Sequence, residues 1–395
     1  MNLLMVSPTI PSPTSGASTR NYHLLKALAS KYSVSLLALG GSSEKGNYSG
    51  TSQLETLTSS LRVINVPKSA PKRLQQLIDL MRGELYTLKA YTLVEMQNAL
   101  DTILATDQYH YILFESVLMA GYRLPGGIKV IIDQHNLEYE VRLRTYQHES
   151  AWLRKWYNRL ESSLLKSVEI ERCRDADLVL VTSERERLIL KNMLPSNVIE
   201  VVPNGVDTEM FCGDSTEQEV LGRIIFTGSM EYYPNVHAVQ YFAQKCWPLI
   251  RKRLPHATWH IVGKNPLPAV QKLSALPGVT VTGTVPDVRP HLASAAVAIV
   301  PLQIGSGTRL KILEALAMRK AVVSTSQGCE GLSVVPGKHL QVADQPEAFA
   351  EAVIAFMNNP EMRNAFGNAG RVLVEAEYSW EYCGTQLLHT LEKFS

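Results

Sequence analysis

The chain has 395 residues, 45% apolar and 19% charged, a soluble globular composition whose length calls for two domains of about 200 residues each. Thirty-nine basic residues against 37 acidic ones leave a net charge of +2, so charge does not single out nucleic acid as a partner and none is expected. Five scattered cysteines (Cys173, Cys212, Cys246, Cys329, Cys383) show no CxxC or metal spacing, which argues against a disulfide framework and for a reduced, cytoplasmic setting.

The opening MNLLMVSPTIPSP has no basic n-region and too short an apolar run for a signal peptide. No stretch approaches the ~20 apolar residues of a membrane span. Strand-like runs at 3–6, 34–39, 61–66, 111–114, 129–133 and 178–182 alternate with helical segments. The pattern predicts a doubly wound, mostly parallel α/β sheet. Residues 7–18 read as a Pro/Ser/Thr/Gly-rich loop containing Gly16, followed by a helix over 19–30. Arg20 at its start either neutralises an acidic acceptor or caps the helix.

The string Asp133-Gln134-His135-Asn136-Leu137-Glu138 ends the fifth run. A polar cluster at a strand's C-terminal end is where a doubly wound sheet places chemistry. His135 is the candidate catalytic residue, with a plain loop histidine as the alternative. Asp133 and Glu138 are candidates to orient His135 or its loop, and Glu138 equally reads as a solvated helix start.

Residues 142–174 carry eight Arg/Lys against four Glu, with Trp152, Leu153, Trp156, Tyr157, Leu160 and Leu164 at helical spacing. Two readings fit: a helix burying its apolar stripe in the domain, which is the commoner arrangement, or one lying on an anionic membrane. Residues 72–82 are a milder version.

The turn-rich string Val202-Pro203-Asn204-Gly205-Val206-Asp207 reads as a linker. Strands then restart at 223–227, 258–262, 279–282, 297–301 and 321–324, so a second α/β half is predicted. Ser229 follows the first of these and Lys264 the second, where it can line a base or diphosphate pocket. After the fourth comes Gly305-Ser306-Gly307-Thr308-Arg309-Leu310-Lys311-Ile312-Leu313-Glu314. A small-residue loop between a strand and a helix presents backbone N–H groups at a positive helix end, which suits a phosphate. Arg309 and Lys311 add positive charge, and Glu314 can accept from sugar hydroxyls. Together these features suggest a nucleotide-sugar site.

From Gly305 to Leu332 the chain closely resembles the donor segment of retaining GT-B glycosyltransferases of family 4. Similar strings, VVPNGVD, FTGSMEYYPN, VTGTVPDVRPHLASAAVAIVPL and the closing EYSWEYCGTQLLHTLEKF, extend the likeness over nearly the whole chain. The resemblance implies two Rossmann-like domains facing across a cleft. Residues 1–203 would form the acceptor side and 204–377 the nucleotide-sugar domain, with residues 378–395 a helix crossing back to the first. It implies that Glu314 grips the ribose and that Leu310 and the backbone near Val285 meet the nucleoside. It further implies that His135 meets the donor sugar and that Gly16 approaches the donor phosphate, a flexible loop being the alternative for Gly16. Many members carry a Glu eight residues before the ribose Glu. Here that place is Ser306, and backbone groups would read the sugar instead. The Arg and Lys that many members place after the first strand of the second half are absent between Thr227 and Gln240, which leaves Arg309 and Lys311 as the nearest candidates.

The implied activity is hexosyl transfer with retention, from a UDP- or GDP-sugar to a sugar, lipid-linked or small-molecule hydroxyl acceptor, by a monomer or homodimer. No cofactor or metal is expected, and no DxD string occurs. A nucleotide-sugar 2-epimerase on the same fold and a non-catalytic sugar-nucleotide-binding scaffold are the alternatives. A dehydrogenase is disfavoured because no GxGxxG follows the first strand.

Overall fold

A computed structural model of the chain describes residues 1–13, 16–40, 51–65, 79, 85–149, 151–213 and 218–394. These fall into two units, one of residues 1–203 with 383–395 and one of residues 204–382.

The first unit is built on seven parallel strands: β1 (Asn2–Ser7), β2 (Ser33–Gly40), β3 (Ser60–Asn65), β4 (Tyr111–Phe114), β5 (Lys129–Gln134), β6 (Leu178–Val181) and β7 (Ile199–Val201), in the order β3-β2-β1-β4-β5-β6-β7. Continuous apolar runs such as Leu3-Leu4-Met5-Val6, all fully buried, are what a parallel sheet covered on both faces requires. Alternation then divides them: Leu3 and Met5 pack with Leu24, Leu25 and Leu28 of the helix Gly16–Ala29, while Leu4 and Val6 pack with Met96 and Leu100 on the other face. Because β1 has β2 on one side and β4 on the other, strand order reverses there. The chain leaves the C-terminal ends of β1 and β4 toward opposite faces and opens a crevice beyond them.

The second unit repeats the plan with β8 (Arg223–Thr227), β9 (Thr258–Val262), β10 (Val279–Gly283), β11 (Val297–Val300), β12 (Ala321–Ser324) and β13 (Gln341–Val342), ordered β10-β9-β8-β11-β12-β13 and all parallel. Here the reversal lies between β8 and β11. Strands β7 and β13, three and two residues long, are absent from the sequence reading because so short a run shows no periodicity.

The helix Trp380–Phe394 begins in the second unit and ends in the first. Leu387 and Leu391 enter the first unit's core, and Lys129 Nζ donates to Phe394 O at 3.0 Å. Residues 378–382 stay with the second unit, where Val206 N donates to Tyr378 O at 2.8 Å.

Two local expectations are corrected. The helix Gly16–Ala29 starts three residues before the predicted 19, so Gly16 is its first residue rather than part of a loop. The stretch 142–174 is divided between two helices, Glu138–His148 and Trp152–Asp175, and only the later part of the apolar stripe is covered: Tyr157, Leu160 and Leu164 are half-buried, Leu164 against the unit's core. Trp152, Leu153 and Trp156 are 76%, 60% and 48% exposed, while Asn158, Glu161, Ser162, Leu165, Glu169 and Cys173 are buried. A polar network sets that choice. Glu169 accepts the first N–H groups of the helix Glu138–His148, from Glu138 and Tyr139, both at 3.1 Å, satisfying donors that a helix start leaves open. Ser162 Oγ donates to Tyr139 O at 2.9 Å. Apart from Asp79, the segment 72–82 lies outside the described residues. Among the described residues no helix is long and apolar enough to cross a membrane.

Candidate active site

Among the described residues each unit carries a cluster of chemically capable side chains at the strand-order reversal or one strand from it.

In the first unit Glu115 directly follows β4, and its N–H donates to Val6 O of β1 at 2.9 Å. Asp133 is in β5 and His135 is one residue past it. His135 Nε2 lies 3.1 Å from Asp133 Oδ2 and 3.2 Å from Glu115 Oε2, with both carboxylates fully buried and the imidazole 13% exposed. Arg20, from the helix Gly16–Ala29, donates through Nε and Nη2 to the two oxygens of Asp133, each at 2.7 Å. Its Nη2 and Nη1 also donate to Val202 O and Pro203 O, both at 2.9 Å. Arg20 therefore neither meets an acceptor nor caps its helix: its guanidinium is buried as the counter-ion of Asp133.

The electrostatics follow from this packing. Burial disfavours a charged carboxylate, yet Arg20 and His135 outweigh it and hold Asp133 well below the usual range. Burial also disfavours an imidazolium, but Asp133 and Glu115 lift His135 to about 9, so it is a cationic hydrogen-bond donor at neutral pH. Glu115 is pushed up to about 7, by burial first and by repulsion from Asp133, against the hydrogen bond from His135. The ligand atoms of Glu115, Asp133 and His135 lie within 4.8 Å of one another. The set does not suit a divalent cation, because Arg20 occupies Asp133 and His135 holds its proton.

Glu138 is the first residue of its helix. Burial raises its carboxyl, and Arg142 and Asn136 oppose the shift. Sequence reasoning missed Glu115. Its signal was available: an acid immediately after the buried run YILF.

In the second unit the cluster gathers around the ends of β8 and β11. Gly228 follows β8 at φ 149°, and a Cβ there would lie 2.7 Å from Asn235 Nδ2 and 2.9 Å from Lys311 Nζ. Gly263 after β9 is equally confined, since its Cβ would fall 1.7 Å from Gly228 O. Only glycine lets these backbones and the lysine approach so closely. Lys311, in the helix Leu310–Ala317 after β11, reaches back to this place. Its Nζ donates to Asn235 Oδ1 at 2.7 Å and lies 4.0 Å from the centre of the Phe226 ring. Asn235 Nδ2 in turn donates to Ser229 O at 2.9 Å. Thus the ammonium beside Gly228 comes from the helix Leu310–Ala317 and not from the segment 228–239. Burial, then Arg309, lower Lys311 to about 7, against the pull of Glu314. Burial raises Glu314, opposed by Lys311.

The loop itself is less open than a run of small residues suggests: Gly305, Ser306, Gly307 and Thr308 are all buried. Arg309 folds back and donates through Nη1 to Ser306 O. Thr308 Oγ1 accepts from Asn204 Nδ2 at 2.7 Å. Of the nucleoside candidates, Lys264 is exposed, with its carbonyl accepting from Met230 N at 2.8 Å. Val285 and Leu310 are partly buried against the unit's core. Asn235 is the residue missed here, hidden in the sequence as an ordinary helix-start asparagine.

Comparison with known proteins agrees with this architecture. Residues 14–210 match the model described as Glycosyltransferase Family 4, and residues 222–359 the model described as Glycosyl transferases group 1. A GDP-mannose-dependent monoacylated alpha-(1-6)-phosphatidylinositol monomannoside mannosyltransferase of Corynebacterium glutamicum is 34% identical over 87 residues, 22% of this chain and 23% of that protein. The match thus spans about a quarter of that relative's length. The fold is similar to that of sucrose-phosphate synthase from Thermosynechococcus elongatus (TM-score 0.75, 16% identity, 100% of this chain and 99% of that one). It is similar also to S. aureus TarM solved with UDP (0.67, 11%, 98% and 99%) and to Anabaena HepE solved with UDP-glucose (0.67, 12%, 99% and 99%).

Proposed function

Since the chain belongs to the family 4, group 1 glycosyltransferases of the GT-B fold, we propose that it moves a hexosyl group, with retention and without a metal, from a UDP- or GDP-sugar to a hydroxyl acceptor. The second unit is assigned the nucleotide and the first unit the acceptor side and the donor sugar's hydroxyls.

The observation that carries this reading is Lys311, a half-buried ammonium aimed by Asn235 at the end of β8. A nucleoside diphosphate leaves readily when its growing charge is met by fixed positive groups in a dry site. Lys311, Arg309 and the N–H groups of residues 305–308 are those groups, Glu314 takes the ribose, and Ser229, Lys264, Val285 and Leu310 line the donor. His135, held as a cation, donates to a sugar hydroxyl. The acceptor attacks the face the diphosphate leaves, and a diphosphate oxygen takes the acceptor's proton. No protein carboxylate is assigned as nucleophile, because both oxygens of Asp133 are bonded to Arg20.

The acceptor is assigned as lipid-linked, at the inner face of the cell membrane, with the protein in peripheral contact. The Corynebacterium relative, whose name specifies a phosphatidylinositol monomannoside, supports that assignment. The GDP-mannose of that relative and the UDP ligands of the solved structures point to different bases, so both are kept.

One observation favours a second reading, nucleotide-sugar 2-epimerisation. Glu115 and His135 form an acid–base pair 3.2 Å apart, the carboxyl pushed up to about 7 and the imidazole to about 9.

A panel of nucleotide-sugars, followed by calorimetry and by slow hydrolysis to free nucleotide, tests the proposal. Tight binding of one UDP- or GDP-sugar, lost in Glu314→Ala, is the expected result. An epimerised donor would select the second reading, and no binding at all would leave a scaffold.

A further inference from the structure

Of the chain's five tryptophans, Trp247, Trp259 and Trp380 are buried, at 3%, 0% and 8% exposure, whereas Trp152 and Trp156 stand out in solvent. They occupy the first two turns of the helix Trp152–Asp175, with exposed Leu153 between them. Trp152, Trp156 and Arg159 follow at i, i+4 and i+7, so they share one face. The residues this helix buries, Asn158, Glu161, Ser162 and Leu165, lie on the opposite side. The exposed face therefore owes nothing to the packing of the unit.

Its own charged residues are basic, with one acid just ahead of the helix, where Glu149 accepts from Ala151 N at 2.9 Å. Residues 152–160 read WLRKWYNRL, with Arg154, Lys155 and Arg159 and no acid. The next acid, Glu161, is buried and accepts from Thr87 Oγ1 at 2.8 Å. Lys155 and Arg159 both lie over the Tyr146 ring, at 5.3 and 5.9 Å, which holds two of the cations beside the tryptophans. Tryptophan bodies that are apolar with one polar edge, ringed by cations on long apolar stems, match the boundary between headgroups and acyl chains of an anionic bilayer.

We propose that the first two turns of the helix Trp152–Asp175 form a docking surface for an anionic lipid bilayer. Trp152, Leu153 and Trp156 enter the headgroup boundary, and Lys155 and Arg159 meet lipid phosphates. The inference rests on the membrane contact included in the function proposed above and assigns it to named residues. The same helix holds the candidate site's loop through Glu169, so docking at its first turns and chemistry at its far half belong to one rigid element.

The test is flotation of the full chain with vesicles of phosphatidylcholine alone and of phosphatidylcholine with phosphatidylglycerol, together with tryptophan emission. Expected are binding and a blue shift with phosphatidylglycerol only, weakening as salt is raised. Each of Lys155→Gln and Arg159→Gln should weaken binding about fivefold. Trp152→Ser with Trp156→Ser should abolish insertion while leaving the circular dichroism spectrum unchanged. No binding to phosphatidylglycerol vesicles, or unchanged binding by the double tryptophan variant, overturns the proposal. So does a lipid-free dimer that the same variant dissolves, since the face would then belong to a second copy. Nucleotide-sugar binding measured on the same samples separates the two questions. A protein that binds donor but ignores vesicles refutes the docking surface and leaves the donor site standing.

Discussion

Lys311 Nζ donates to Asn235 Oδ1 at 2.7 Å, so the ammonium on the helix after β11 is aimed by an amide from the helix after β8. The amide is itself fixed by its bond to Ser229 O. Removing it frees the ammonium to point elsewhere. Asn235→Ala is expected to weaken nucleotide-sugar binding about tenfold, the size of one charge-assisted hydrogen bond. Lys311→Ala should lose most turnover with the fold intact. Calorimetry and a hydrolysis assay on both variants check this. Wild-type behaviour in both would remove the diphosphate role from Lys311.

The same lysine makes donor binding depend on pH. In the free protein burial lowers its pKa to about 7, so above neutrality it is mostly uncharged. A bound diphosphate restores the ammonium, which means that the complex takes up a proton. Affinity should fall by up to about tenfold per pH unit above 7. Calorimetry at pH 8 in buffers of different ionisation enthalpy should show the uptake, and Lys311→Met should abolish it.

Arg20 and Asp133 are a fully buried, doubly bonded pair. Arg20→Met leaves a carboxylate buried without its partner and should destabilise the protein by about 3–5 kcal/mol, read by urea unfolding. The pair also sets an acid limit. Asp133 is held below its ordinary pKa of 3.8, so its contribution is complete above about 4 and is lost as pH falls through the folded value. Asp133→Asn should flatten the acid side of the stability curve.

His135 titrates in the opposite sense. Its pKa is raised from 6.5 to about 9. Its contribution to stability is therefore complete below about 6.5 and disappears as pH rises through about 9. Glu115→Gln removes one of the two carboxylates that raise it and should move the imidazole's titration down, visible by NMR of the ring protons. An unmoved titration would show that Glu115 does not act on His135.

Most of the frame was legible from the residues alone. The strands buried on both faces announce themselves as unbroken apolar runs, and the turn-rich string around Pro203 marks where one unit gives way to the next. Three things were hidden, each for a physical reason. Glu115 stands outside the string DQHNLE that draws attention to His135 and reaches it only through strand pairing of β4 with β5. Asn235 reads as an ordinary helix start, and only the fold shows Lys311 beside it. The tryptophan stripe misled because periodicity reveals that a helix has two faces, not which one is covered. Here the buried face mixes Leu165 and Cys173 with Asn158, Glu161, Ser162 and Glu169, and it is fixed by Glu169 and Ser162 satisfying a neighbouring helix's backbone.

The four anchored bonds of Arg20 carry a lesson about substitution. Its guanidinium serves two carboxylate oxygens and the carbonyls of Val202 and Pro203 at once. Lysine would keep the charge, yet its three protons radiate from a single nitrogen and cannot span acceptors spread around a plane. An exchange that looks conservative on paper would therefore loosen two distant stretches of backbone together, the strand end before His135 and the segment by which the chain leaves its first unit. Tolerance at position 20 is set by geometry rather than by charge.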